Sequence, residues 1–240
     1  MHVAILGLGP SVRQFLLLTS KLGSRKALCD EVWGINAIGD IIRCDRVIHM
    51  DDVRVQEIRA AAAPTSNIAR MLEWLKKHPG PIVTSIKHPD YPGLVEFPLE
   101  EVCNICPNGY FNSTAAYAVA YAIHQGATRI SCWGMDFTYP DAHDAEKGRA
   151  CVEFWLGVAS ARGIQIAVPR TSTLLDAMYP MTGPDRFYGY DCVDIAFGRD
   201  GQKVTVQMTP KDKLPTAEEI EHRYNHARHP NVIVEEEGAQ

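Results

Sequence analysis

The sequence has no apolar run long enough to cross a membrane and no excess of positive charge. A membrane-spanning helix needs about 20 consecutive apolar residues, whereas the first apolar segment, His2–Leu6, has only the length of a strand. No basic region precedes this segment, so we expect a first β-strand rather than a signal peptide. The formal net charge of −5 offers no general attraction to nucleic acid or to an anionic membrane. These features predict a cytoplasmic protein without a membrane span.

The sequence also lacks complete copies of the common metal and phosphate motifs. Its seven cysteines are scattered through apolar contexts, which favours reduced thiols. Cys103 and Cys106 form a lone Cys-x-x-Cys without the second pair of ligands that a zinc site needs. The segment Gly7–Ser11 has neither the third glycine of the dinucleotide fingerprint nor the lysine of a P-loop. We therefore expect no metal centre and no standard nucleotide motif.

Strands and helices alternate over residues 1–178. Short apolar runs predict strands at His2–Leu6, Glu31–Asn36, Asp45–Met50, Pro81–Ser85, Thr128–Trp133 and Ile164–Val168. Helical periodicity predicts helices at Ser11–Leu22, at Asn67–His78, after Asn112 and from about Ala145 to Arg162. Residues 88–110 are rich in Pro, Gly and Asn and predict a long loop. This order predicts an α/β fold with a doubly wound, mostly parallel sheet.

The pattern changes after Pro180. Asp191–Phe197 and Lys203–Met208, joined by residues 198–201, predict a β-hairpin. Pro215–Ala227 predicts a charged helix. We therefore expect a nucleotide-binding domain at residues 1–178 and a small hairpin-and-helix appendage at residues 179–240.

Polar residues follow several of the predicted strands. Ligands of such sheets bind beyond the carboxyl ends of the strands, where the next helices begin. The residues expected at this edge are Gly7, Gly9 and Ser11, Asn36, Ser113 and Thr114, Gly134 and Asp136, and Arg170. Glycines allow close approach of a ligand, and hydroxyls with helix amides can hold phosphate oxygens. These residues predict a site for a nucleotide or another phosphorylated ligand.

Structural roles explain some of the same residues equally well. Gly7–Ser11 also fits a tight turn between a strand and a helix, and Ser113 fits a helix cap. Asp51 and Asp52 could bind ribose hydroxyls or magnesium, although solvated loop acids are the simpler explanation. His49 lies on an apolar strand and is predicted to be a core histidine.

The predicted catalytic residues are His143 and Asp136, which follows a strand end, and His143 is the best candidate for a general base. It lies in a polar segment between Asp141 and Asp144, whose negative charges would favour and orient an imidazolium. Histidines in such loops are also commonly exposed and without a role.

Taken in order, these segments resemble the bacterial sialyltransferases of glycosyltransferase family 42 and their relatives, which include the 6-hydroxymethylpterin pyrophosphokinase (MptE-like) family. Gly7–Ser11 matches a Gly-x-Gly-Pro-Ser turn, and Ile35-Asn36 matches a strand end. Ser113-Thr114-Ala115 is similar to a Thr-Ser-Gly helix start, and 134–137 matches Gly-[Ile/Met]-Asp-Phe. Pro169–Ser172 approximates a final Pro-x-Ser turn. The resemblance covers residues 1–178 and implies a Rossmann-like fold.

The resemblance implies a metal-independent glycosyltransferase with a CMP- or UDP-type nucleotide-sugar donor. It implies nucleotide contacts from Gly9, Ser11, Asn36, Ser113, Thr114 and Gly134. His143 lies in the interval that holds the base of the family. Leu8 replaces an asparagine that contacts the donor, and the lid after Asp136 is short, with Tyr139 as the nearest tyrosine.

Two alternatives remain open at this point. A pyrophosphokinase-like transferase would need magnesium, with Asp51, Asp52 or Asp136 as ligands. A protein of the same fold could instead bind a nucleotide without catalysis. The acceptor, either a glycan or a modified nucleic-acid base, and the formation of a homo-oligomer are also left open.

Overall fold

The structure is a computed structural model that describes residues 1–138, 141–176, 193–200 and 203–210, together with residues 216 and 218. The chain divides into two compact units, Met1–Pro180 and Met181–Gln240. No helix in these described ranges is both long and apolar enough to span a membrane.

A seven-stranded sheet forms the centre of the first unit. Its strands are β1 (His2–Leu6), β2 (Glu31–Ile35), β3 (Arg46–Ile48), β4 (Ile82–Thr84), β5 (Leu94–Glu96), β6 (Arg129–Trp133) and β7 (Gln165–Ala167). Their order is β5-β4-β3-β2-β1-β6-β7, and every neighbouring pair is parallel. The predicted α/β fold with a Rossmann-like, doubly wound sheet is confirmed.

Helices connect these strands. They are α1 (Val12–Leu22), α2 (Ile38–Ile41), α3 (Val53–Ala62), α4 (Asn67–Lys77), α5 (Leu99–Cys103), α6 (Thr114–His124) and α7 (Ala142–Ala161). Val3 and Ile5 of β1 share a buried cluster with α6 and α7, whereas Ala4 and Leu6 pack in a second cluster with Phe15 of α1. Because both faces of β1 are covered, its sequence is continuously apolar.

Small side chains let α6 lie close to the sheet. Its alanines at positions 116, 118, 120 and 122 are all fully buried. A larger side chain at these positions would push the helix away from the strands. The first turn of α6 is therefore held at the carboxyl edge of the sheet.

Several predicted bounds differ from the structure, and the largest differences concern residues 88–110 and the start of α7. Residues 88–110 contain β5 and α5 rather than only a loop; β5 is a three-residue edge strand in which only Leu94 is buried, too short to show a strand periodicity. Helix α7 begins at Ala142, and not near Ala145, because the Asp141 side chain accepts a hydrogen bond of 3.0 Å from the Asp144 N–H. His143 consequently lies in the first turn of a helix.

The described part of the second unit is a β-hairpin. Strand β8 (Val193–Asp200) pairs antiparallel with β9 (Lys203–Pro210). The predicted hairpin is confirmed, although residues 198–200 belong to β8 and not to the turn. Tyr139 and nearly all of the predicted helix Pro215–Ala227 lie outside the described residues.

The turns that follow β1 and β6 touch each other through their backbones. The Gly7 N–H donates to the Trp133 carbonyl and the Gly9 N–H to the Gly134 carbonyl, each at 2.8 Å. A Cβ atom on Gly7 would overlap the carbonyl oxygen of Gly134. Gly134 itself has a φ of 71°. A Cβ atom on Gly134 would likewise overlap the carbonyl oxygen of Gly7. Glycine is therefore required at these positions by the fold itself.

We expect Gly7→Ala to lower the free energy of unfolding by about 1–3 kcal/mol, since the added methyl group must displace a backbone carbonyl. Gly157→Ala is the matched control, because a Cβ at this position in α7 meets nothing within 4 Å. The control should raise the free energy of unfolding by about 1 kcal/mol through helix propensity. Urea unfolding measures both free energies. A Gly7→Ala protein as stable as wild type would show that the turns after β1 and β6 can separate to admit a methyl group without cost.

Candidate functional site

A cleft opens where the order of the sheet reverses. The chain leaves β1 towards β2 and later returns to place β6 on the other side of β1. Such a switch point is the usual ligand site of open α/β sheets. The cleft has a volume of about 370 Å³, which lies within the range of small-molecule sites. It is lined by Gly7, Leu8, Gly9, Ile35, Asn36, Ser113, Thr114, Ala115 and residues 134–138.

The structure brings most of the predicted site residues to this cleft. Those that line it are Gly7, Gly9, Asn36, Ser113, Thr114, Gly134 and Asp136. Ser11 is buried and is not part of the lining. His143 and Arg170 are exposed, and neither lines the cleft. The predicted role of His143 as a base and the predicted anion contact of Arg170 stay predictions without a place in this cleft.

Ser11 connects the two turns that carry the cleft. It is only 1% exposed. Its N–H donates to Oδ2 of Asp136 at 2.7 Å, and its Oγ accepts from the Gly134 N–H at 2.7 Å. The Ser11 hydroxyl therefore contacts the β6 turn, where the sequence predicted a contact with a nucleotide. It makes no cap hydrogen bond to its own helix either.

Asp136 combines deep burial with one oxygen that lacks a partner. The residue is 4% exposed, and its Oδ2 accepts the hydrogen bond from Ser11. Its Oδ1 has no hydrogen-bond partner among the residues that the structure describes. A buried carboxylate oxygen without a partner is costly. Because Asp136 lines the cleft, a hydroxyl or amine of a bound ligand can supply the missing donor.

The amino-terminal end of α6 also lines the cleft. Ser113 caps the helix, since its Oγ accepts from the Ala116 N–H at 3.4 Å. Thr114 and Ala115 follow in the first turn, which contains no acidic residue. The amides and the helix dipole give this end a positive potential that suits a phosphate. Ser113 therefore both caps its helix and lines the cleft, so the two predicted roles coexist.

Asn36 is fixed at the end of β2. Its φ of 52° is a left-handed conformation that asparagine tolerates, and its N–H donates to the Ile48 carbonyl at 2.9 Å. Its Oδ1 lies 3.0 Å from Nδ1 of His49. His49 is fully buried, and burial lowers the pKa of its imidazole, partly opposed by the charge of Asp51. The prediction of a core histidine is confirmed, but its partner Asn36 could not be foreseen.

A second groove adjoins the cleft along α7. It has a volume of about 630 Å³ and is lined by Asn112, Ser113, Phe137, Asp141, Asp144, Lys147 and Gly148. Ser113 and Phe137 line both spaces. The Phe137 ring packs where Gly148 leaves room, since a Cβ there would lie 2.6 Å from the ring. Phe137, with a φ of 42°, was not predicted as a site residue; its positive φ has no signal in the sequence.

The two remaining acidic candidates lie away from the cleft lining. Asp52 caps α3, with its Oδ1 accepting from the Arg54 N–H at 2.9 Å and its Oδ2 lying 3.0 Å from Nη2 of Arg54. Hydrogen bonds from Arg54 lower the pKa of the Asp52 carboxyl. Asp51 is exposed. Among the described residues, no group of three His, Cys, Asp or Glu side chains is placed to hold a metal ion.

Comparisons with known proteins find a distant structural similarity. No protein-family model matches the chain, and no curated protein matches it either. The chain is similar to a solved structure, a mutant of the α-2,3/8-sialyltransferase CstII, with 15% identity, coverage of 93% of this chain and 100% of that chain, and a TM-score of 0.44. At this distance no residue role is transferred. The resemblance to pterin pyrophosphokinases stays a prediction.

We expect Ser11→Ala to lower the free energy of unfolding by about 1–3 kcal/mol, because the buried Gly134 N–H loses its acceptor. Ser20→Ala is the control on the exposed part of α1 and should change stability by no more than about 0.5 kcal/mol. Urea unfolding distinguishes the two. A Ser11→Ala protein as stable as the control would mean that the Gly134 amide finds water.

Proposed function

We propose that this protein is a glycosyltransferase that uses a nucleotide-sugar donor. One observation carries the proposal: a single cleft at the switch point of the sheet joins a glycine turn, the positive end of α6 and the unpartnered Oδ1 of Asp136. The glycine turn and the helix end suit a nucleotide phosphate. The buried carboxylate of Asp136 is a hydrogen-bond acceptor, which phosphate binding does not require, so it suits another part of the donor or acceptor. The sequence resemblance to family 42 supplies the reaction class.

The lining suggests how the donor would lie in the cleft. The phosphate would bind at Ser113, Thr114 and the first amides of α6. The nucleoside would lie along Leu8 and Ile35, with Asn36 in reach of its polar atoms. The sugar would then point towards Asp136 and Phe137. Arg170 has no place in this arrangement, because it is exposed and outside the lining.

Asp136 is better placed than His143 to take the proton in the reaction. A hydroxyl of the acceptor would attack the anomeric carbon as the bond from that carbon to the phosphate oxygen breaks. The hydroxyl proton would pass to Oδ1 of Asp136, and the nucleotide would leave as an anion held by the end of α6. The α7 groove, whose lining includes Asn112, Asp144 and Lys147, would hold the acceptor. The competing reaction is a magnesium-dependent, pyrophosphokinase-like transfer. Nucleotide binding with and without magnesium distinguishes it from this scheme.

We expect a nucleotide or nucleotide sugar from a CMP, UDP, GDP and ATP panel to stabilise the protein in a thermal-shift assay. Binding at a concentration 100 times the Kd adds about 2.7 kcal/mol. Leu8→Glu should abolish the shift by placing a charged carboxylate on the apolar wall along which the nucleoside would lie. Leu17→Glu is the control, since Leu8 and Leu17 are 59% and 61% exposed but only Leu8 lines the cleft.

The panel is run with magnesium and with EDTA. Stabilisation that persists in EDTA is expected for the glycosyltransferase. A shift that appears only with magnesium would favour the pyrophosphokinase-like alternative. No shift with any compound, or equal loss in both leucine variants, would place the ligand site elsewhere.

We expect Asp136→Asn to reduce the release of nucleotide from the stabilising donor by about 10²- to 10⁴-fold, the usual cost of losing a general base. An asparagine oxygen can still accept the Ser11 hydrogen bond, so the fold and the thermal shift should persist. His143→Ala should keep the rate within a few-fold, because His143 is exposed and outside the lining. The reverse ranking of the two variants would return the role of base to His143.

A further inference from the structure

Three polar groups of Asn36 have hydrogen-bond partners, and a fourth has none among the described residues. Its N–H donates to the carbonyl of Ile48 at 2.9 Å, and its carbonyl oxygen accepts from the Gly39 N–H at 3.3 Å. Its Oδ1 is 3.0 Å from Nδ1 of His49. The Nδ2 amino group has no partner among the residues that the structure describes, and the residue lines the cleft. The Nδ2 amino group is therefore the part of Asn36 that can bind a ligand in the cleft.

The orientation of the amide depends on the tautomer of His49. With the proton on Nδ1, His49 donates to Oδ1 of Asn36, and its Nε2 keeps only a lone pair. With the proton on Nε2, the amide would have to turn over and donate from Nδ2. The Nε2 atom is buried and has no partner in the described part of the chain. A buried N–H without an acceptor is rarer than an under-satisfied acceptor, so the proton belongs on Nδ1.

Neighbouring groups leave this arrangement undisturbed. His49 is 0% exposed. Among the described residues its ring has one hydrogen-bonding partner, Asn36, and Asp51 acts on the ring through its charge. Thr84 of the neighbouring strand β4 is likewise 0% exposed, and its hydroxyl has no partner among the described residues. The imidazole is therefore packed in place and cannot turn without opening the core.

We propose that His49 is a positioning residue that fixes the Asn36 amide with its amino group towards the cleft. Asn36 then recognises an acceptor atom of the ligand, a carbonyl or hydroxyl oxygen or an unprotonated ring nitrogen, and rejects a donor at the same place. The identity of the ligand as a nucleotide rests on the proposed function, whereas the orientation of the amide does not. On a nucleotide, the base carbonyl oxygens, the unprotonated ring nitrogens of the base and the ribose hydroxyls have this chemistry.

The first test uses the ligand-free protein. Nitrogen-15 NMR of the histidine rings distinguishes the two neutral tautomers, and the His49 signal is assigned by its loss in His49→Asn. The proposal expects the proton on Nδ1 at pH 7. A proton on Nε2, or a rapidly exchanging mixture, would overturn it, whether or not any nucleotide binds.

The second test asks whether His49 acts through Asn36. The probe is the panel compound that gives the largest thermal shift. His49→Leu should weaken its binding about 3- to 10-fold, the loss expected for one hydrogen bond. His49→Asn should stay within about twofold, because an asparagine Nδ2 can occupy the place of the imidazole Nδ1 and donate as it does. Urea unfolding confirms that both variants are folded.

A double-mutant cycle completes the test. In an Asn36→Ala background, His49→Leu should weaken binding no further, since the amide that it orients is gone. Equal weakening in both backgrounds would show that His49 acts through core packing alone and would overturn the positioning role. If no panel compound binds wild type, the proposed function fails, and the NMR result alone decides the orientation of Asn36.

Discussion

The contact between the turns after β1 and β6 is the constraint on which the site depends. Two backbone hydrogen bonds join the turns, and Ser11 adds its amide to Asp136 and its hydroxyl to the Gly134 amide. Because Ser11 is buried, water does not compete for its hydrogen bonds to Asp136 and Gly134. The cleft is thus lined by a preformed, hydrogen-bonded rim, and a ligand need not order it.

This constraint also explains why glycines occupy both turns. In the sequence they suggested the close approach of a ligand. In the structure, a Cβ on Gly9 would lie 2.8 Å from the Gly134 carbonyl oxygen and closer still to the Asp136 side chain. The glycines are required first by the approach of two protein segments. The absence of side chains at these glycines then also leaves room for a ligand in the cleft.

The sheet and much of the cleft were predictable from local sequence. Parallel strands that are covered on both faces have continuous apolar sequences, and polar residues after them meet at one edge. That rule predicted Asn36, Thr114 and Asp136 at this edge, where they line the cleft. It could not decide which way a side chain at the edge points, so Ser11 was assigned to a ligand although it faces β6. The sequence also predicted a loop at His143, whereas the cap at Asp141 places this residue in the first turn of α7.

The packing of Phe137 against Gly148 has a consequence for how selectivity can change. The same ring borders both the cleft and the α7 groove, and its position depends on the missing side chain at residue 148. Any larger residue there must move the ring and so redistribute volume between the two spaces. A single position in α7 therefore sets the wall between the two spaces. A substitution at position 148 would therefore change what the cleft and the α7 groove can hold together, and not one of them alone.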